Sequence, residues 1–298
     1  MGNQVSKVCG RLIGVALASA LLVSASAAQD WQNWKRPVPT AADWAAIAKL
    51  PDFTGVWEMP LGDSSLVVQP GAAKESAARQ NPRRTAGASR RPGMPPQPTL
   101  DYTPEWAEKV KYLEAHPPQD NPQANCVPNG MPDIMAQPYP YDFLVTPGQV
   151  TIIGEAYRMT RYIYTDGRPL PQNPDPTFWG TSVGHWEGQT LVAETVGFLP
   201  QTDIVPGSGI EHRFPHSGKM KIIERFRLLD PDTMSIETTI IDPVVLAQPY
   251  TSTQILKRHR DWTIDEYICE QNNRNALTST GQAEVDTIPP TPPEPNSK

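Results

Sequence analysis

From Tyr141 to Arg260 the chain alternates apolar and polar residues with a period of two, and short turn-forming groups break the alternation. No other feature narrows the fold as much. Successive strand side chains point to opposite faces, so this period marks strands with one buried face. The predicted strands are 142–146, 149–165 with a bend, 181–187, 189–198, 220–229, 233–242 and 250–260. Pro147-Gly148, Glu187-Gly188-Gln189 and Asp230-Pro231-Asp232 separate neighbouring strands as hairpin turns do. Strands joined by tight turns pair antiparallel. With Asp52–Met59 upstream they number about eight or nine, enough to close a barrel around one small ligand. The expectation is a mainly β protein, an antiparallel meander closing into a barrel; a β-sandwich is the alternative.

The rest of the chain is punctuated by proline. Its 34 prolines are roughly twice the usual share, which excludes an all-helical fold. Two short helices are predicted. Thr40 caps one over Ala41–Lys49, which ends before Pro51. Thr103-Pro104-Glu105 opens the other, with Trp106, Val110 and Leu113 as its apolar stripe. Residues 1–28 read as a secretory signal peptide: Lys7 and Arg11, the apolar run Leu12 to Val23, then Ser24-Ala25-Ser26-Ala27-Ala28. The expected location is therefore periplasmic or extracellular. No other stretch reads as a membrane span. Residues 29–52 form an N-terminal segment, 53–278 a single barrel domain with a Pro-rich insertion at 60–140, and 279–298 a disordered tail. Within the insertion, 70–100 reads as a mobile, solvated loop despite Arg79, Arg83, Arg84, Arg90 and Arg91. Cys9 leaves with the leader, so Cys126 and Cys269 are predicted to form a disulfide. Loss of Lys7 and Arg11 takes the formal charge from −6 to −8, which argues against a nucleic-acid partner.

Gly55-Val56-Trp57 ahead of the meander resembles the G-x-W signature of lipocalin-like (calycin) barrels, from which the 60–140 insertion departs. The chain is also similar to a family of exported bacterial proteins of unknown function. The matching stretches are Gly130-Met131-Pro132, Tyr164-Thr165-Asp166-Gly167-Arg168, Gly184-His185-Trp186-Glu187-Gly188-Gln189-Thr190-Leu191-Val192, Pro215-His216-Ser217, Asp261-Trp262-Thr263 and Tyr267-Ile268-Cys269. These resemblances imply export and a lipocalin-like barrel; they imply no catalytic residue.

Candidate chemistry comes from carboxylates in apolar rows. Glu224 lies among Met220, Ile222, Phe226 and Leu228, Glu194 among Val192, Val196 and Phe198, and Glu155 among Ile153, Tyr157 and Met159. An interior carboxylate is costly unless it is paired, hydrogen-bonded or protonated. One reading pairs these groups with arginines such as Arg161, Arg225 and Arg258. The other leaves one carboxyl with a raised pKa as an acid/base, Glu224 or Glu194, with His216 or Tyr157 as its partner. Glu155, Arg161, His185, Trp186 and His212 are the candidate ligand-binding residues. Glu211 to His216 holds metal-ligating residue types, but Pro215 prevents a helix there, so no metal site is assigned. No P-loop, dinucleotide fingerprint or G-x-S-x-G elbow is present, so no cofactor is expected. Three functions fit: a carrier of a small apolar or aromatic molecule, a cofactor-independent lyase, isomerase or hydratase, or an envelope interaction module. Nothing in the sequence fixes an oligomeric state.

Overall fold

The computed structural model describes residues 31, 34–60, 66–68, 100–116, 126–200, 202, 204 and 215–269. The predicted signal peptide, most of the 60–140 insertion, His212 and the predicted tail lie outside them. Ten strands are formed among the described residues: β1 (Gly55–Glu58), β2 (Leu66–Val68), β3 (Tyr141–Thr146), β4 (Gln149–Gly154), β5 (Thr160–Tyr164), β6 (Thr181–Glu187), β7 (Thr190–Val196), β8 (Lys221–Asp230), β9 (Thr233–Ile241) and β10 (Tyr250–His259). β1 pairs with both β3 and β10, which closes β1 and β3–β10 into a nine-strand barrel. β2 pairs with β10 further along the same edge.

The strand limits fall close to those read from the alternation, and the bend expected within 149–165 is the turn 155–159 between β4 and β5. One pairing differs. β5 and β6 run parallel, with Ile163 opposite Ser182, whereas an all-antiparallel meander was expected. A parallel pair needs a crossover that returns the chain to its starting end. Residues 165–180 do this, and Pro169, Pro171, Pro174 and Pro176 keep that segment out of the ladder. The barrel thus has two unlike rims. The upper rim holds the tight turns at 147–148, 188–189 and 231–232. The lower rim holds the turn 155–159, the connection 242–249, and the ends of β7 and β8 that 197–220 joins.

The inward rows fill the barrel. Tyr141, Phe143, Ile152, Ile163, Leu191, Ile222, Phe226, Ile236 and Leu256 expose almost no surface. A side chain lining a water-sized void would keep some accessible area, so these side chains pack against one another. Trp57 closes the ring. Its indole Nε1 donates to Phe53 O at 2.9 Å, and the Arg258 guanidinium lies 4.5 Å over its ring while donating to Asp52 Oδ2 at 3.0 Å. Trp57 and Arg258 face each other across β1 and β10, so this cation–π contact fastens the first strand to the last.

Helix α1 (Ala41–Ile47) begins with a capping box, in which Thr40 Oγ1 accepts from Asp43 N and Asp43 Oδ2 accepts from Thr40 N. Helix α2 (Pro104–Ala115) starts at Pro104, but Thr103 does not cap it. The Thr103 hydroxyl instead donates to Val244 O at 2.9 Å, tying the helix to the β9–β10 connection. Trp106 and Val110 are its buried stripe.

Candidate functional site

The structure separates the predicted site residues into three places. The first is the barrel centre. Glu224 sits inward on β8, between Ala193 and Thr238 in cross-strand register. Arg161 reaches it from β5 and grips the carboxylate with both terminal nitrogens, Nη1 to Oε1 at 3.0 Å and Nη2 to Oε2. Arg161 Nε donates to Ser182 Oγ at 3.2 Å and Nη2 to Thr195 Oγ1 at 3.0 Å; the two hydroxyls lie 2.9 Å apart. Both charged side chains are 1% exposed. A fork-to-fork pair whose Nε and Nη2 also donate to hydroxyls is the arrangement that makes a buried charge tolerable.

The second place is the outer wall, and here the expected faces are corrected. Glu194 is on the outside of β7, paired with Lys221, because Leu191, Ala193 and Thr195 take the inward positions. His185 is also outside, 3.1 Å from Glu187, which is itself paired with Arg225. Its neighbour Trp186 points inward at the upper rim and packs on Phe53.

The third place is the lower rim. His216 is buried against Phe198 as a staple between connections. Its Nδ1 lies 2.8 Å from Ser217 O, and its Nε2 lies 2.8 Å from Thr202 Oγ1 and 3.0 Å from Leu199 O. Asp242 holds the same loop, accepting from Ser217 N and Oγ at 2.7 Å each.

Beside it is a corner whose composition was not anticipated. The 3₁₀ turn Asp133–Ala136 brings Asp133 under the barrel, where it is fully buried. It accepts from Asn129 Nδ2 and, at 2.8 Å, from Gln137 Nε2. Gly130 makes this approach possible. Its φ is +73°, and a Cβ there would lie 2.3 Å from Thr202 Cγ2. Three partly exposed tyrosines gather at this corner, and the Asp133 charge acts on one of them, Tyr157. Tyr157 meets Tyr267 edge-on at 5.8 Å between ring centres, and Tyr139 lies 6.1 Å from Tyr267. Tyr157 stands in the left-handed region at φ 57°, ψ 18°, a conformation costly to a residue with a Cβ. Burial, then the neighbouring Tyr267, Tyr139 and Asp133, hold its phenol above the usual tyrosine range. Glu155 opens this turn and accepts from Asp265 N at 3.2 Å. Cys126, also at positive φ, is disulfide-bonded to Cys269 with an S–S distance of 2.16 Å, and so straps the 265–269 segment to the corner. Of the predicted residues, Tyr157 and Glu155 are brought together here. Tyr139, Tyr267 and Asp133 were missed; the paired cysteines, which place 126–139 beside 265–269, were their one signal.

Among the described residues no three His, Cys, Asp or Glu side chains gather in a metal-ligating cluster, and no helix is long and apolar enough to cross a membrane. Neither a protein-family model nor a curated protein matches the chain. The likeness to lipocalin-like barrels therefore stands on the closed barrel itself, a fold compatible with ligand binding.

Proposed function

We propose that the protein is an exported barrel that binds a small aromatic or partly apolar molecule at its lower rim, with the barrel centre serving as structural core. The leader-like 1–28 segment and the disulfide, a feature of oxidising compartments, support export. The observation that carries the reading is the convergence of Tyr139, Tyr157 and Tyr267 at the corner, where the charge of the buried Asp133 acts on Tyr157. Tyrosine rings offer apolar faces and a polar tip, and the strained backbone at Tyr157 presents one of them. Glu224, gripped by Arg161 and shut away from solvent, is assigned to stability rather than acid/base chemistry. A thermal-shift screen of the mature protein against small aromatics, terpenoids and lipids tests this. A ligand at 100 times its Kd should stabilise the wild type by about 2.7 kcal/mol, and Tyr157→Ala should lose the shift. A shift of equal size in Tyr157→Ala would move the site elsewhere. The filled interior favours a second reading, an envelope interaction module, and a screen in which nothing shifts the wild type would promote it.

A further inference from the structure

The upper rim carries another group of rings, on the outer wall and away from the tyrosine corner. β5 turns Arg161 and Ile163 inward, so Tyr162 and Tyr164 project outward. Tyr162 is 46% exposed, and its ring stacks against that of Tyr164 at 6.3 Å, with 30° between planes. Tyr164 is fixed by its neighbours. The Arg168 guanidinium lies 3.7 Å over its ring, and Trp31 meets it edge-on at 5.5 Å. Arg168 is committed to Asp166, with Nη2 to Oδ2 at 2.6 Å and Nε to Oδ1 at 2.9 Å, and Trp34 Nε1 donates to the same carboxylate at 3.2 Å. The rings are therefore held in place before any partner arrives, which lowers the entropic cost of binding. In cross-strand register Thr151 stands beside Tyr162 and Gln149 beside Tyr164, and the Gln149 amide donates to the Thr151 hydroxyl at 2.7 Å. The patch joins aromatic faces to the Gln149 amide, with Thr151 buried beneath it; of its two cations, Arg168 is paired with Asp166 and Arg36 donates to Gln149 Oε1 at 3.0 Å and to Pro147 O at 2.8 Å.

We propose that this wall is a binding surface for a neutral glycan chain. Tyrosine faces take up the C–H faces of pyranose rings. The partly exposed Gln149 amide, which both donates and accepts, matches sugar hydroxyls. The outside of a barrel wall is open, and it suits an extended chain better than a compact ligand, which needs a concave site. A polyanion fits poorly: the chain's formal charge is −6, Arg168 is already paired, and Arg36 is engaged with Gln149 and Pro147. This proposal is independent of the lower-rim reading. It is tested by affinity electrophoresis of the mature protein through gels holding a soluble β-glucan, an α-glucan or a mannan. At least one polysaccharide should retard the wild type. Tyr162→Ala, at an exposed position, should weaken that binding about tenfold with an unchanged circular dichroism spectrum, while Tyr162→Phe and the lower-rim variant Tyr157→Ala should bind as the wild type does. No retardation by any of the three polysaccharides, or equal retardation of Tyr162→Ala, would overturn it.

Discussion

The barrel centre and the lower-rim corner each bury a carboxylate, and they build its surroundings differently. Glu224 is met by the Arg161 fork in the middle of the ladder, on regular strands, with Ser182 and Thr195 completing the pair. Asp133 sits on a 3₁₀ turn, with Asn129 and Gln137 among its donors and its charge acting on the Tyr157 phenol. Backbone strain follows the same division. Among the described residues, the non-glycine residues at positive φ, Cys126, Tyr157 and Arg158, all belong to the corner or its immediate neighbours. A region built for stability satisfies its groups with regular geometry. A region that must present particular side chains accepts strain to do so, and the surrounding structure carries the cost.

Breaking the central pair should produce the largest effect. Arg161→Met leaves Glu224 buried without its cation, at a cost of about 3–5 kcal/mol in urea unfolding, and replacing both residues with Met should recover most of it. A loss below about 1 kcal/mol would remove the contrast. Opening the strap comes next. Cys126→Ala with Cys269→Ala should cost about 2–5 kcal/mol, with hydrogen exchange rising first at 126–139 and 265–269 rather than in β7–β9. Strain at the corner is measured by comparing Tyr157→Gly with Tyr157→Ala. Both delete the ring, but the glycine variant should be about 1 kcal/mol more stable, because only it adopts positive φ freely. The smallest effect belongs to the outer wall. Glu194→Gln breaks a half-exposed pair with Lys221 and should change stability by less than about 1 kcal/mol.

Alkali separates the regions by another route. Burial raises the phenols of Tyr141 and Tyr157 and pushes that of Tyr250 up to about 12. A raised folded value favours the protonated form in the folded state. The resulting stability is complete below about pH 10, where an unfolded tyrosine is also neutral, and is lost as the pH rises through the folded values. Absorbance at 295 nm should therefore show these three of the nine tyrosines ionising only as far-ultraviolet ellipticity collapses. Titration of all nine near pH 10 with the fold intact would contradict the burial.

Much of the barrel was legible because alternation and turn chemistry are local. The Met220 to Leu228 row does face inward, with Glu224 in its middle, and Gly55-Val56-Trp57 does mark the closing strand. The outward placement of Glu194 was not legible, because on β7 both rows are largely apolar: Val192 and Val196 on one side, Leu191 and Ala193 on the other. Period two cannot choose between them; only the register with β8 does. The parallel β5–β6 pair was hidden for a similar reason, since a proline-rich connection does not announce which end of the barrel it returns to. The corner draws residues from 129–139, 155–157 and 265–267, and no local pattern joins segments so far apart.

The central claim is that ligand binds at the lower rim while the barrel centre stays packed. Methyl- and aromatic-resolved NMR of the mature protein, titrated with the best aromatic hit of the screen, tests it most directly. The rings of Tyr139, Tyr157 and Tyr267 should shift in a saturable way, while Phe143 and Phe226, an edge-on pair in the barrel middle at 6.2 Å, stay unmoved. Saturable shifts at Phe143, Phe226 and Ile236 with a silent tyrosine corner would place the ligand inside the barrel and contradict the account.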